Sequence, residues 1–237
     1  MPNLLIDTIA TLDWASIQQT LDNQGYATIP KLLNADQCNE VMETYEDDSK
    51  FRSTIDMARY RFGLGEYKYY EAPLPNIIEQ LRIGLYPELS KVANRWREQL
   101  GGDQIYPSDL SAFLDQCHAQ GQLRSTPLIL KYEVEGYNCL HQDLYGDVFF
   151  PFQVVFVLNE KDVNYTGGEF LLVEQRPRAQ SRGHVITLEQ GSGLIFPTTH
   201  RPVTGARGYY KTTLRHGVST ITSGTRYSLG IVFHDAK

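Results

Sequence analysis

The chain has 237 residues, 41 % of them hydrophobic and 21 % charged, which is enough for one sizeable core and excludes a disordered or low-complexity protein. A formal net charge of −6 argues against a protein that coats nucleic acid throughout, and 3 cysteines without zinc-like or redox-like spacing argue against a disulfide framework. The start, MPNLLIDTIATLDW, mixes acids into its apolar residues where a secretory signal needs a basic start and an unbroken apolar run. No later stretch reaches membrane-spanning length, so the expectation is a cytoplasmic protein without membrane contact.

In chain order, DWASIQQTLDNQG reads as a short helix ended by Gly25, and YATIPKLL as a strand. Asn34 with Gln37 three residues on opens an amphipathic helix over ADQCNEVMETYEDD. From Phe51 to Pro75 Arg and Lys alternate with Tyr and Phe around two glycines, which reads as a loop or hairpin. Helical spacing returns in NIIEQLRIGL, ELSKVANRWREQLG and SDLSAFLDQCHAQG, each read as a separate helix. After Ser125 the texture changes to eight short β-rich runs separated by Gly, Asn and Pro, from PLILKYEV to RYSLGIVFH. Without intervening helices a parallel sheet has no crossovers, so a sandwich or jelly roll is expected.

The charge is uneven. Residues 1–50 carry two lysines against nine acids, whereas residues 176–215 carry six arginines and one lysine against Glu189 alone.

In the run YNCLHQD, His141 and Asp143 stand two apart, so in a strand both face one side. A second His from a distant strand would complete two imidazoles and one carboxylate, a set that leaves three adjacent coordination positions open and suits non-haem Fe(II). One chance His-x-Asp is unsurprising in a chain with 6 histidines, so the partner matters. His216 in LRHGVSTITSGTRYSLG is the expected one. His200, with Arg207 behind it, competes, but Pro-flanked FPTTHRPV reads as a loop. His118, His184 and His234 read as surface or strand-end residues, His234 near the cavity.

Ten residues beyond His216 stands Arg226, followed by Ser228. The ordered set His141, Asp143, His216, Arg226 and Ser228 resembles the Fe(II)/2-oxoglutarate dioxygenase superfamily. Tyr132 and Gly136 in KYEVEGYNCLH, the run YTGGEFLLVE and the run GSGLIFP match its prolyl-hydroxylase-like members over residues 130–233. The resemblance implies a double-stranded β-helix (jelly roll) in an α+β fold, with N-terminal helices buttressing it. It implies one domain over 1–237, with helical support and a candidate substrate lid in 1–124 and the catalytic core in 125–237. His141, Asp143 and His216 would bind Fe(II). Arg226 would grip the far carboxylate of 2-oxoglutarate through its two-donor fork, with Ser228 and Tyr132 beside it. Decarboxylation of that cosubstrate by O2 would give succinate and an oxidant that takes hydrogen from a substrate C–H bond, with no protein acid or base required.

If HGVSTITSGTRYSLG is a hairpin, His216 and Arg226 share a face only across an odd loop. The expectation is a three-residue loop, Thr222 to Gly224, with Gly224 left-handed and Arg226 opposite Thr220, about 13 Å along the strand from His216.

The whole-chain texture also resembles a bacterial subgroup, Oxygenase-NA, predicted to act in DNA repair. That implies oxidation of methyl groups on damaged bases, with single-stranded or damaged nucleic acid as partner. Arg59, Tyr60 and Arg61 in ARYRFGLGEYKYY, Tyr145, and Arg176 and Arg178 in QRPRAQSR are the substrate candidates, aromatics for stacking and cations for phosphates. Alternating aromatic and basic residues also make an ordinary amphipathic hairpin over a core. A second Arg such as AlkB-type members carry is missing beyond Arg226. The alternatives are a hydroxylase of a protein side chain or small metabolite, and a jelly-roll metal-binding module without oxygenase activity.

Overall fold

The run PFQVVFVLN is apolar on both alternating faces, which suits a strand covered on both sides. The computed structural model, which describes residues 5–143 and 146–237, places this strand between two layers. The first half of the chain contains helices α1 (Leu5–Ala10) and α2 (Trp14–Gln24), strand β1 (Ala27–Ile29), helix α3 (Ala35–Glu43), strand β2 (Phe51–Asp56) and the single-turn helix α4 (Met57–Tyr60). Strands β3 (Gly63–Leu64) and β4 (Glu66–Tyr70) and helices α5 (Asn76–Gln99) and α6 (Leu110–Ala119) follow. The second half contains strands β5 (Leu128–Tyr132), β6 (Tyr137–His141), β7 (Phe152–Val157), β8 (Tyr165–Gly167), β9 (Phe170–Gln175) and β10 (Arg182–Ile186). It ends with β11 (Gly193–Pro197), β12 (His200–Gly205), β13 (Gly208–Val218), β14 (Ile221–Gly224) and β15 (Arg226–Val232).

A seven-stranded sheet runs β1-β11-β7-β15-β5-β4-β2 and faces a six-stranded one, β10-β9-β13-β6-β3 with β12 on β13, the pairs being antiparallel. This is the double-stranded β-helix expected. Val155 and Val157 of β7 pack inward with Leu172, Phe196, Leu214 and Val218, while Val154 and Phe156 pack outward against the helices. That alternation, period two, divides the core into an inter-sheet layer and a helix-sheet layer.

The local signals act as expected in α2 and α3. Gly25, at φ 84°, ends α2, and Asn34 and Gln37 form a reciprocal capping box at the start of α3. Elsewhere the structure differs. NIIEQLRIGL and ELSKVANRWREQLG are one helix, α5, continuing through Pro87. Leu81, Leu85, Leu89, Val92 and Trp96 are buried on one face across that proline, each contributing about 1.5–3 kcal/mol, enough to offset the lost backbone bond. The front half also adds strands to the sheet. β1 joins one edge, and the hairpin of β2 and β4 extends the other.

His216 and Arg226 are not on a hairpin. β13 and β15 belong to different sheets, and the chain between them crosses over, with β14 pairing β8. The Cα partner of Arg226 is Tyr132 on β5, not Thr220. Ile221, fully buried, anchors the crossing in the inter-sheet core, where a free hairpin would leave it outside. Gly224 is left-handed as expected, φ 73°, because Asn164 O would stand 2.0 Å from any Cβ there. His200 opens a strand, β12, rather than lying in a loop; Pro202 is tolerated because its other edge carries no partner strand among the described residues.

Candidate active site

β6 and β13 pair so that His141 and His216 are direct cross-strand partners, their ring centroids 4.1 Å apart. Asp143 follows His141 by two residues and lies on the same side. His141 Nε2 is 3.5 Å from Asp143 Oδ1, and His216 Nε2 is 3.2 Å from Asp143 Oδ2. Among the described residues this is the one group of three or more His, Cys, Asp or Glu whose ligand atoms converge, all within 4.8 Å. His216 belongs to it; His200 does not.

The tautomer of His141 follows from its neighbour. Its Nδ1 lies 2.7 Å from the carbonyl of Cys139, which can only accept, so Nδ1 carries the proton and the Nε2 lone pair faces Asp143. A lone pair and a carboxylate facing each other repel unless a cation stands between them, which is the condition a metal ion meets. His216 is fixed by aromatic neighbours, Phe170 stacked at 5.8 Å and Phe196 tilted at 4.7 Å. Gly217, at the irregularity between β13 and β6, leaves room for this approach, since a Cβ would stand 2.6 Å from Asn138 O. Burial pushes the Asp143 carboxyl up, but His216, then His141 and Gln153, outweigh it and hold the group well below the usual carboxylate range. Burial and the neighbouring His216 hold His141 below its ordinary value. The set is thus a carboxylate beside a neutral imidazole, the protonation states that ligate divalent iron.

Arg226 stands in the same cavity, of about 370 Å³, with Ser228 two residues along β15. It is 1 % exposed. Its Nη1 donates to Ser228 Oγ at 3.1 Å; among the described residues its Nε has no hydrogen-bond partner and no Asp or Glu pairs with it. A buried guanidinium without a carboxylate is costly, and a bound dicarboxylate would relieve it. Tyr132, fully buried, lies with its ring 5.7 Å from the guanidinium and accepts a long hydrogen bond from Asn138 Nδ2 at 3.4 Å. Burial, opposed by Arg226, pushes the Tyr132 hydroxyl up to about 12, so it stays a neutral donor.

The substrate candidates divide. Arg61 lines the cavity, and Arg59 and Tyr60 stand on α4 just before it. Arg176 lies outside the cavity lining, its Nε paired with Glu174 at 2.7 Å, and Arg178 sits in the turn after β9, also away from it. Tyr145 lies outside the described residues. His118 pairs with Asp235, and His184 packs edge-on against Tyr26. His234 stands two residues past the end of β15, as expected, but is fully buried and not on the surface, its Nδ1 accepting from the Phe150 N–H.

Sequence reasoning missed Gln153, whose Nε2 donates to Asp143 Oδ2 at 2.8 Å, and Gln142, whose Nε2 binds the carbonyls of Thr199 and Leu214 at 2.8 and 3.0 Å. Gln153 left a signal, being the polar residue in the buried strand FQVVFV. Tyr67 and Tyr69, which wall the cavity, left none beyond their alternation.

The geometry brings a converging His-Asp-His group and a buried arginine into one cavity. A family model, described as "Oxygenase, catalysing oxidative methylation of damaged DNA", matches residues 65–236. The chain belongs to the Oxygenase-NA family. It is an Fe(II)- and 2-oxoglutarate-dependent dioxygenase that uses O2. Among its relatives is an uncharacterised protein of Mycobacterium tuberculosis strain H37Rv, 52% identical over 167 residues, which are 70% of this chain and 72% of that one. The Oxygenase-NA fold is shared with a Pseudomonas putida prolyl-4-hydroxylase (TM-score 0.58, 16% identity, 94% of this chain and 100% of that one). It is shared too with an oxidoreductase of the 2OG-Fe(II) oxygenase family from Burkholderia pseudomallei (TM-score 0.52, 15% identity, 94% and 91%). No helix of the described residues is long and apolar enough to cross a membrane.

Proposed function

We propose that this Oxygenase-NA protein oxidises the methyl group of an alkylated base in single-stranded or damaged nucleic acid. In this reading His141, Asp143 and His216 hold Fe(II), and Arg226, Ser228 and Tyr132 hold the far carboxylate of 2-oxoglutarate. The metal, with that cosubstrate and O2, supplies an oxidant strong enough for a C–H bond. An oxygenase works on a methyl already present. Hydroxylation of an N-methyl group consumes one O2 and one 2-oxoglutarate and yields succinate, CO2 and an N-hydroxymethyl, which breaks down to formaldehyde and the free N–H.

One observation carries the substrate class. Tyr60 and Phe62, 48% and 47% exposed, stack on each other with ring centroids 5.6 Å apart and planes 21° apart, beside the cavity that Phe62 and Arg61 line. Arg59 lies 5.8 Å over the Tyr60 ring. Exposed rings between arginines offer a face to an unstacked base and a charge to its phosphate. Arg176 and Arg178 would act farther out, and Tyr145 in the segment after Asp143.

The test is anaerobically purified protein given Fe(II), 2-oxoglutarate and O2 with methylated single-stranded DNA, unmethylated DNA or peptides. Formaldehyde with methylated DNA alone supports the reading. Succinate stimulated by a peptide or small metabolite, with no formaldehyde from methylated DNA, overturns it in favour of a hydroxylase.

A further inference from the structure

β7 is a central strand, held by β11 on one side and β15 on the other, so the backbone of Gln153 is fixed opposite Phe196 and Val232. Its side chain, 6% exposed, points inward on the face of Val155, which packs in the inter-sheet core, and not with Val154, which packs in the helix-sheet core. There the amide meets the Asp143 carboxylate, Nε2 to Oδ2, at 2.8 Å. A buried polar side chain on an otherwise apolar strand needs a reason, since leucine there would remove any desolvation cost.

We propose that Gln153 is a positioning residue for the metal site: its amide holds Asp143 in one orientation and occupies a lone pair of one carboxylate oxygen. This rests on the reading of His141, Asp143 and His216 as metal ligands. Asp143 follows the end of β6, where no ladder fixes it, so its carboxylate depends on side-chain partners for its direction. A carboxylate with both oxygens free can chelate an ion and fill a position that cosubstrate or O2 needs. With one oxygen engaged, binding through a single oxygen is favoured. The amide suits this task better than lysine or arginine, because it donates without adding positive charge and leaves the anionic charge of Asp143 to the ion. Its own carbonyl cannot substitute, so the orientation of the amide is set by the carboxylate it faces.

The experiment is anaerobic titration of the metal-free full chain with Co(II), following affinity and the visible absorption bands of the bound ion. Gln153→Met keeps the length of the side chain and removes the donor; Gln153→Glu keeps its shape and replaces the donor by an acceptor. Gln153→Met is expected to weaken Co(II) binding by about 10- to 100-fold. Both variants are expected to alter the bands, with circular dichroism showing the fold retained. A folded variant of either kind with wild-type affinity and wild-type bands overturns the role. His216→Ala separates the two readings. If it too binds Co(II) like the wild type, the metal assignment has failed; if it loses binding while Gln153→Met does not, only the positioning role has.

Discussion

His141 and His216 face each other directly across the β6–β13 pair, with ring centroids 4.1 Å apart, although 75 residues separate them in the chain. The ladder sets this distance, so removing one imidazole should leave the other in place. His216→Ala is therefore expected to fold, and to lower metal affinity and turnover by more than about 100-fold, since a ligand matters more than the partners that orient it. Metal content after anaerobic loading, together with succinate release, checks this. Retained turnover would refute the assignment of His216.

Arg226 makes a prediction of opposite sign for stability and function. Its guanidinium is buried with Ser228 Oγ as its hydrogen-bond partner. Replacing it by an apolar residue of similar length removes an uncompensated buried charge. Arg226→Met is expected to raise the melting temperature of the cosubstrate-free protein while raising the KM for 2-oxoglutarate by roughly 30-fold or more, about 2 kcal/mol or above. Addition of 2-oxoglutarate should stabilise the wild type in a melting experiment and leave the variant unmoved. A variant less stable than the wild type, with an unchanged KM, would remove Arg226 from the cosubstrate site.

The site was legible where chemistry is carried by residue type in a fixed order. His141, Asp143, His216, Arg226 and Ser228 are all in one cavity, as their order suggested. The route by which Arg226 reaches it was not legible. HGVSTITSGTRYSLG looks like a hairpin because Ser223 and Gly224 favour a turn, yet the buried Ile221 draws the segment between the sheets, a tertiary effect that local propensity does not contain. The division of NIIEQLRIGL from ELSKVANRWREQLG failed in the same manner, since a helical pattern interrupted in sequence is one helix when both sides bury one face. Gln153 was hidden because a single polar residue in an apolar strand says that a partner exists and not which one.

The aromatic pair makes the third prediction. Tyr60 and Phe62 are exposed and stacked on each other, with Phe62 in the cavity lining. Phe62→Ala and Tyr60→Ala should each raise the KM for a methylated oligonucleotide by about 5- to 150-fold, the 1–3 kcal/mol that base stacking contributes. The KM for 2-oxoglutarate should stay within about twofold, because the proposed reading places the cosubstrate at Arg226 and the base at the aromatic pair. Steady-state assays with each ligand varied in turn would show it. An equal effect on both constants would mean that the pair shapes the cavity and does not receive a base.

His234 gives the fold a dependence on pH apart from the chemistry. Burial, with Arg82 nearby, holds its imidazole down to about 4, against partial opposition from Asp143 and Asp235. Its ordinary value is about 6.5, so as pH falls through that value the unfolded chain takes up a proton that the folded chain refuses. The stability present above about pH 6.5 is therefore lost progressively, with the loss complete only below about pH 4. Between pH 7 and pH 5 ordinary carboxylates remain ionised, and this one group should remove about 2 kcal/mol. Asn at this position can still accept the Phe150 N–H and cannot titrate. Urea unfolding of the metal-free protein at pH 7 and at pH 5 is expected to show the wild type losing about 2 kcal/mol more than His234→Asn, whose remaining loss falls to the other imidazoles that burial holds down, His141 among them. An equal loss in both proteins would assign the acid sensitivity to other groups.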